Sequence, residues 1–260
     1  MQLNEKASRL RCLFIVIYRG RLFFATKYKK GKGRKMGLKE LVRKITGRNS
    51  MYLYSEEELD EYESYVQKCL GEYESVFHEM VSPDIHLDII LIPETAACPY
   101  KKLVTMGAGA YKMNVPKEYK KYNLEHAEYV IYLPANWDIQ SSEEKDYWPI
   151  RLLKNIARLP IYCNTWLAYG HTLQAKVDGS PYVDGIKFNN SILCDALGMD
   201  GKFMNLKMSS GKEICFYQIV PIYQEELDLK TNKGADELLQ LLSENETFPV
   251  IDVNRKNVAI

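Results

Sequence analysis

At 260 residues the chain is long enough to bury a sizeable core, as one large domain or two small ones. Its 46% hydrophobic and 27% charged content is that of an ordinary globular protein, and no apolar run approaches membrane-spanning length, which argues against a helical membrane span. The net charge of +1 hides an asymmetry: residues 1–35 carry eleven basic side chains and one acid, leaving 24 basic and 33 acidic residues in 36–260, a body of net charge −9 that is unsuited to binding nucleic acid and suited to basic partners.

Residues 1–35 hold two strand-like stretches, CLFIVIY (12–18) and RLFFAT (21–26), followed by KYKKGKGRKM. The basic run reads as a phosphate-binding arm, as a solvated tail, or as a translated ribosome-binding site with Met36 as the native start. The helical pattern GLKELVRKI follows Met36 directly. The Cys12–Tyr18 run has arginines on both sides and no small-residue cleavage site after it, so a secretory signal is rejected and a cytoplasmic location is expected.

Ser55 and Glu58 form a capping-box signature. Apolar residues then recur at three and four positions through Tyr62, Val66, Tyr73, Val76 and Phe77, which predicts an amphipathic helix of roughly seven turns ending near Pro83. Strands are predicted over 86–93, 102–107 and 127–134. A helix over Tyr147–Leu159, with Pro149 in its first turn, stops at Pro160. Residues 174–212 are rich in Gly, Asp, Asn and Ser around short apolar islands. The strongest strand, 212–223, contains Pro221 and so ends near an edge or exit. A helix over 234–245 and a short closing strand, FPVIDVNR, complete the pattern. Helices and strands without regular alternation indicate an α+β fold with a mixed, largely antiparallel sheet and helices packed on it.

The usual catalytic constellations are missing. GAGAY (107–111) lacks the Lys-Ser/Thr of a phosphate loop and is too short for a dinucleotide fingerprint. Four dispersed histidines, at 78, 86, 126 and 171, give no metal site, and no cofactor motif is present. The six cysteines have no close pair and read as free thiols in a reducing compartment. The 19 tyrosines against 8 phenylalanines favour recognition surfaces. The most distinctive stretch is 148–173, whose turn delivers Asn164, Thr165, Trp166, Tyr169, Gly170 and His171. That turn is a catalytic loop, a ligand pocket or a structural plug. A hydrolase would pair His171 with Cys163 and an orienting acid such as Asp178, but Cys163 has no setting that would lower its pKa.

Five blocks carry a resemblance: LVTMGAGAYKMNVP (103–116), AEYVIYLPANWD (127–138), WPIRLLKNIARLPIYCNTWLAYGHTL (148–173), FYQIVPIYQEELDLKTNKGADELLQLL (216–242) and VIDVNRKNV (250–258). In this order they resemble the suppressor-of-fused (SUFU) domain family in its single-domain bacterial form. The resemblance divides the chain into a basic extension (1–35), a helical segment packed on the main domain (36–82) and a SUFU-like domain (83–260). It implies a non-catalytic protein-binding fold, and for bacterial members an immunity role in which a polymorphic toxin is bound and neutralised. It also implies a regulator that grips an extended peptide, as the animal member does. The family's peptide groove carries over to Asn164, Thr165, Trp166, Tyr169, Gly170 and His171. Two departures stand out: Gly170 replaces an acidic residue before the His, and no second domain is available to clamp a peptide. The partner expected is a protein, a basic toxin domain in the first reading. Neither nucleic acid nor a membrane is expected, and the oligomeric state stays open.

Overall fold

The computed structural model describes residues 52–79 and 84–260, together with the strand backbone of β1 (Ile17–Tyr18) and β2 (Arg21–Leu22), which pair antiparallel. The rest of the basic extension, the Met36 start and the helix predicted after it lie outside the described residues.

An eight-stranded sheet organises the molecule. Its strands are β3 (Ser75–Phe77), β4 (Asp88–Ile92), β5 (Tyr100–Met106), β6 (His126–Pro134), β7 (Thr172–Gln174), β8 (Asn190–Asp195), β9 (Asn205–Lys207) and β10 (Glu213–Ile222). They lie in the order β3-β4-β5-β6-β10-β8-β7, with β9 continuing the line of β8 along β10. Every pairing is antiparallel except β6 with β10, where Ile214–Gln218 run parallel to His126–Val130. Both faces of the central strands are buried, which is why β4 and β6 read as nearly continuous apolar runs.

Among the described residues four α-helices flank the sheet: α1 (Glu56–Leu70), α2 (Glu144–Cys163), α3 (Gln224–Lys233) and α4 (Ala235–Glu244). One face carries α2, whose Trp148, Ile150, Leu153, Ile156 and Ile161 pack on Ile89, Leu91, Leu103, Ile131, Tyr217 and Ile219. The other face is divided between two helices. Tyr62, Val66 and Leu70 of α1 cover Ile90, Val104, Val130 and Phe216, whereas Leu238 and Leu242 of α4 cover Ile192, Val220 and Ile222. Each such buried side chain contributes about 1.5–3 kcal/mol, so these contacts and not helix propensity hold the helices in place.

The capping box at Ser55 and Glu58 forms as expected, but α1 is shorter than predicted and stops at Leu70. Gly71, at φ 107°, takes the chain out of the helix, and Val76 and Phe77 then pair with Ile90 and Ile89 as β3. Conversely, α2 continues through Pro160 to Cys163 instead of stopping there. The FPVIDVNR segment forms no strand; it runs along the end of β6, where the Ile251 amide donates to the Tyr132 carbonyl. Pro221 sits beyond the stretch of β10 that pairs with β6, and its carbonyl accepts from Arg255 instead of a strand. Among the described residues no helix is long and apolar enough to cross a membrane.

Candidate functional site

The turn after α2 is built by its own backbone. Asn164, at φ 48°, is the helix C-cap, and the amides of Asn164 and Thr165 both donate to the Pro160 carbonyl. Those bonds satisfy a helix end that would otherwise leave carbonyls without donors. The 113–114 loop grips the turn from the side: the Asn114 amide donates to the Thr165 carbonyl at 3.2 Å, and its side chain to the Asn164 carbonyl at 3.3 Å. Leu167 and Ala168 plug into the core below.

Trp166 stacks on Tyr119 with ring centroids 5.2 Å apart and meets His171 edge-on at 4.5 Å. Gly170, at φ 76°, donates to the Leu193 carbonyl, and Leu193 donates back to His171, so the chain enters β7 here. A side chain at Gly170 would meet Ala235 at 3.1 Å, which leaves no room for the acidic residue of the animal pattern without a shift of α4. Tyr169 is exposed, and its hydroxyl donates to Asp236 at 2.6 Å in the first turn of α4. The six residues therefore stand together as one unit, with Asn164 and Tyr169 exposed and the other four half-buried.

The chemistry of this unit is that of neutral aromatic groups. Burial, aided by the nearby Lys230 charge, pushes the His171 pKa down to about 4, against a weaker pull from the Trp166 carbonyl. Burial pushes the Cys163 thiol up, away from the thiolate that nucleophilic attack needs. Asp178 holds its own turn by accepting from the amide and hydroxyl of Ser180. No hydrogen bond links Cys163, His171 and Asp178, so the hydrolase arrangement is not assembled. Among the described residues no group of three or more His, Cys, Asp and Glu side chains is placed to hold a metal ion.

Among the buried carboxylates that escaped the sequence reading, two are completely buried. Glu128 on β6 is fully buried and accepts from the amides of Gly107 and Gly109, both at 2.9 Å, from Tyr54 and from Thr105. The GAGA loop is thus a cradle for an internal carboxylate, and Gly107, at φ 115°, makes it possible. Desolvation outweighs those donors and raises the Glu128 pKa to about 7. A lone acid inside the apolar strand AEYVIYLP was the signal available in the sequence. The second carboxylate, Glu226, is bidentate with Arg255 at 2.6 Å for each bond. The Arg255 guanidinium lies 4.9 Å from the centroids of both the Phe188 and Tyr223 rings and also donates to the Pro221 and Lys256 carbonyls. This pair ties the C-terminal segment to the sheet.

A family model described as "Suppressor of fused protein (SUFU)" matches residues 83–256. Among solved structures, the chain is similar to a suppressor-of-fused homologue from Neisseria gonorrhoeae, with a TM-score of 0.53 and 16% identity over 76% of this chain and 95% of that one. It is similar also to a chain of the Sufu–Fu complex, with a TM-score of 0.53 and 15% identity over 77% of this chain and 90% of that one. No curated protein matches the sequence. The family match spans most of the sheet, both buried carboxylates and the aromatic turn, and on that basis the chain belongs to the suppressor of fused (SUFU) family.

Proposed function

We propose that this chain is a non-catalytic protein-binding domain of the immunity type, which binds and neutralises a polymorphic toxin in the bacterial cytoplasm. The observation that carries the reading is the family match over residues 83–256, together with a likeness in fold to a structure of a protein complex. The acidic body suits a basic toxin surface, since opposite charge speeds capture and buried aromatic contacts slow release. The five described cysteines are free thiols, which suits a reducing compartment. In the aromatic turn, Asn164 and Tyr169 are the contacts we assign to the partner. Thr165, Trp166, Gly170 and His171 hold them in place.

The test begins with the neighbouring gene: a large secreted protein with a variable C-terminal domain is expected there, and that domain is co-expressed with this chain. Restored growth is expected. Unchanged toxicity contradicts the immunity role. An alternative regulator reading, in which the chain grips an extended peptide of another protein, is favoured by a long groove at the opposite end of α2.

A further inference from the structure

Between the N-terminal end of α2 and the C-terminal segment lies a groove of about 640 Å³. One wall is formed by Pro134, Asn136, Trp137, Asp138 and Asp146, and the other by Glu246 and the Phe248–Asn254 stretch. Its volume falls within the range of pockets that enclose a short peptide or a molecule of similar bulk, and it is far too large for a single ion. Trp137, Phe248 and Val250 supply an apolar surface, and four carboxylates, Asp138, Asp146, Glu246 and Asp252, surround it.

No Lys or Arg lines the groove, and among the described residues none forms an ion pair with these four acids. Lys101 donates to the Ala135 and Trp137 carbonyls, and Arg255 is taken by Glu226. Lys145 pairs with Glu143 at 3.1 Å and acts only through space on Asp146 and Asp138. Asp138 and Asp252 each use one oxygen to accept backbone amides of their own turns, at 3.1–3.2 Å and 2.8 Å respectively. The wall itself is fixed. Trp137 donates its indole N–H to the Asp146 carbonyl at 2.9 Å, Gln218 donates to the Pro249 carbonyl at 2.6 Å, and Arg255 anchors the segment's end. A preformed trough of mixed polar and apolar surface, with excess negative charge on both walls, is matched by an occupant that brings apolar and cationic groups together.

We propose that this groove binds an extended, lysine- or arginine-bearing segment of the partner protein, an apolar side chain of which rests on Trp137, Phe248 and Val250 while its cations face the four carboxylates. This deepens the protein-binding reading and rests on it. It also separates the two surfaces, which lie at opposite ends of the 20-residue α2.

The probe is a fluorescein-labelled nonapeptide with lysines around a central leucine, followed by anisotropy against the full chain. The comparison protein combines Asp138→Asn, Asp146→Asn, Glu246→Gln and Asp252→Asn, which removes the charge and keeps the side-chain shape and one acceptor oxygen at each position. The lysine peptide should bind the wild-type chain, more weakly as salt rises. The fourfold variant should bind it about tenfold more weakly. Equal binding by the fourfold variant, equal binding of a glutamate version of the peptide, or no binding to wild type overturns the proposal. Spermidine competing at equal affinity would reassign the groove to small cations, and a dimer lost only in the fourfold variant would reassign it to a second copy. Loss of peptide binding in Tyr169→Ala alone would move the site to the turn and leave the protein-binding reading standing. Failure of toxin co-expression, by contrast, bears on the immunity role and not on the groove.

Discussion

The two ends of α2 are built on opposite principles. At its C-terminal end the polar groups of the turn are spent inside the fold: Asn164 and Thr165 on Pro160, Gly170 on Leu193, and Tyr169 on Asp236. At its N-terminal end Asp138, Asp146, Glu246 and Asp252 surround a groove with no cation of the chain paired to them among the described residues. The turn holds the residues that make the sequence recognisable, whereas the groove holds ordinary acids scattered over more than a hundred positions. Distinctive residue types mark where the fold is difficult to build, and unspent charge marks the groove we propose for a partner segment.

That contrast yields predictions of decreasing size. Arg255→Ala should have the largest effect, because it strands the fully buried Glu226 without its counter-charge. A loss of about 3–5 kcal/mol is expected by chemical denaturation, along with loss of peptide binding as the groove wall comes free. Trp166→Ala removes a half-buried ring from between Tyr119 and His171 and should cost about 3 kcal/mol, yet leave groove binding intact. If that variant lost peptide binding while folded, the two ends would not be independent.

The third prediction uses pH. His171 has a folded pKa of about 4, below its unfolded value of about 6.5, so the unfolded chain binds the extra proton between them. Its contribution is fully present above pH 6.5 and is lost as pH falls through 4, by about 3 kcal/mol. Comparing urea midpoints of wild type and His171→Phe across that window isolates the effect. Glu128 works in the opposite sense: with a folded pKa raised to about 7, it is most favourable below its unfolded value and loses stability as pH rises through 7. Glu128→Gln should therefore flatten the upper part of the profile. The smallest effect belongs to the fourfold amide variant of the groove, whose stability should stay within about 0.5 kcal/mol of wild type.

Much of the fold was legible because burial on both sheet faces writes long apolar runs, and because the capping box at Ser55 and Glu58 is a local signal. The errors have equally local causes. Tyr73, Val76 and Phe77 continue a helical spacing by coincidence, and only the conformation of Gly71 separates them from α1. The α3 helix shows no apolar stripe, since its one buried residue is Glu226, so periodicity could not find it. The expected closing strand is instead the groove wall, held by single bonds from Ile251 and Gln218 and by the Arg255 clamp. The aromatic turn could be read as a unit because its residues are contiguous. The groove could not, because it joins the 134–146 and 246–254 segments only through the sheet.

The most direct test of the central claim is to identify the variable C-terminal domain expected from a neighbouring gene and measure its affinity for the purified chain by calorimetry at two salt concentrations. A one-to-one complex with a Kd of about 1 nM or tighter, weakening with salt, is the predicted result. Absence of a complex at micromolar concentrations would contradict it.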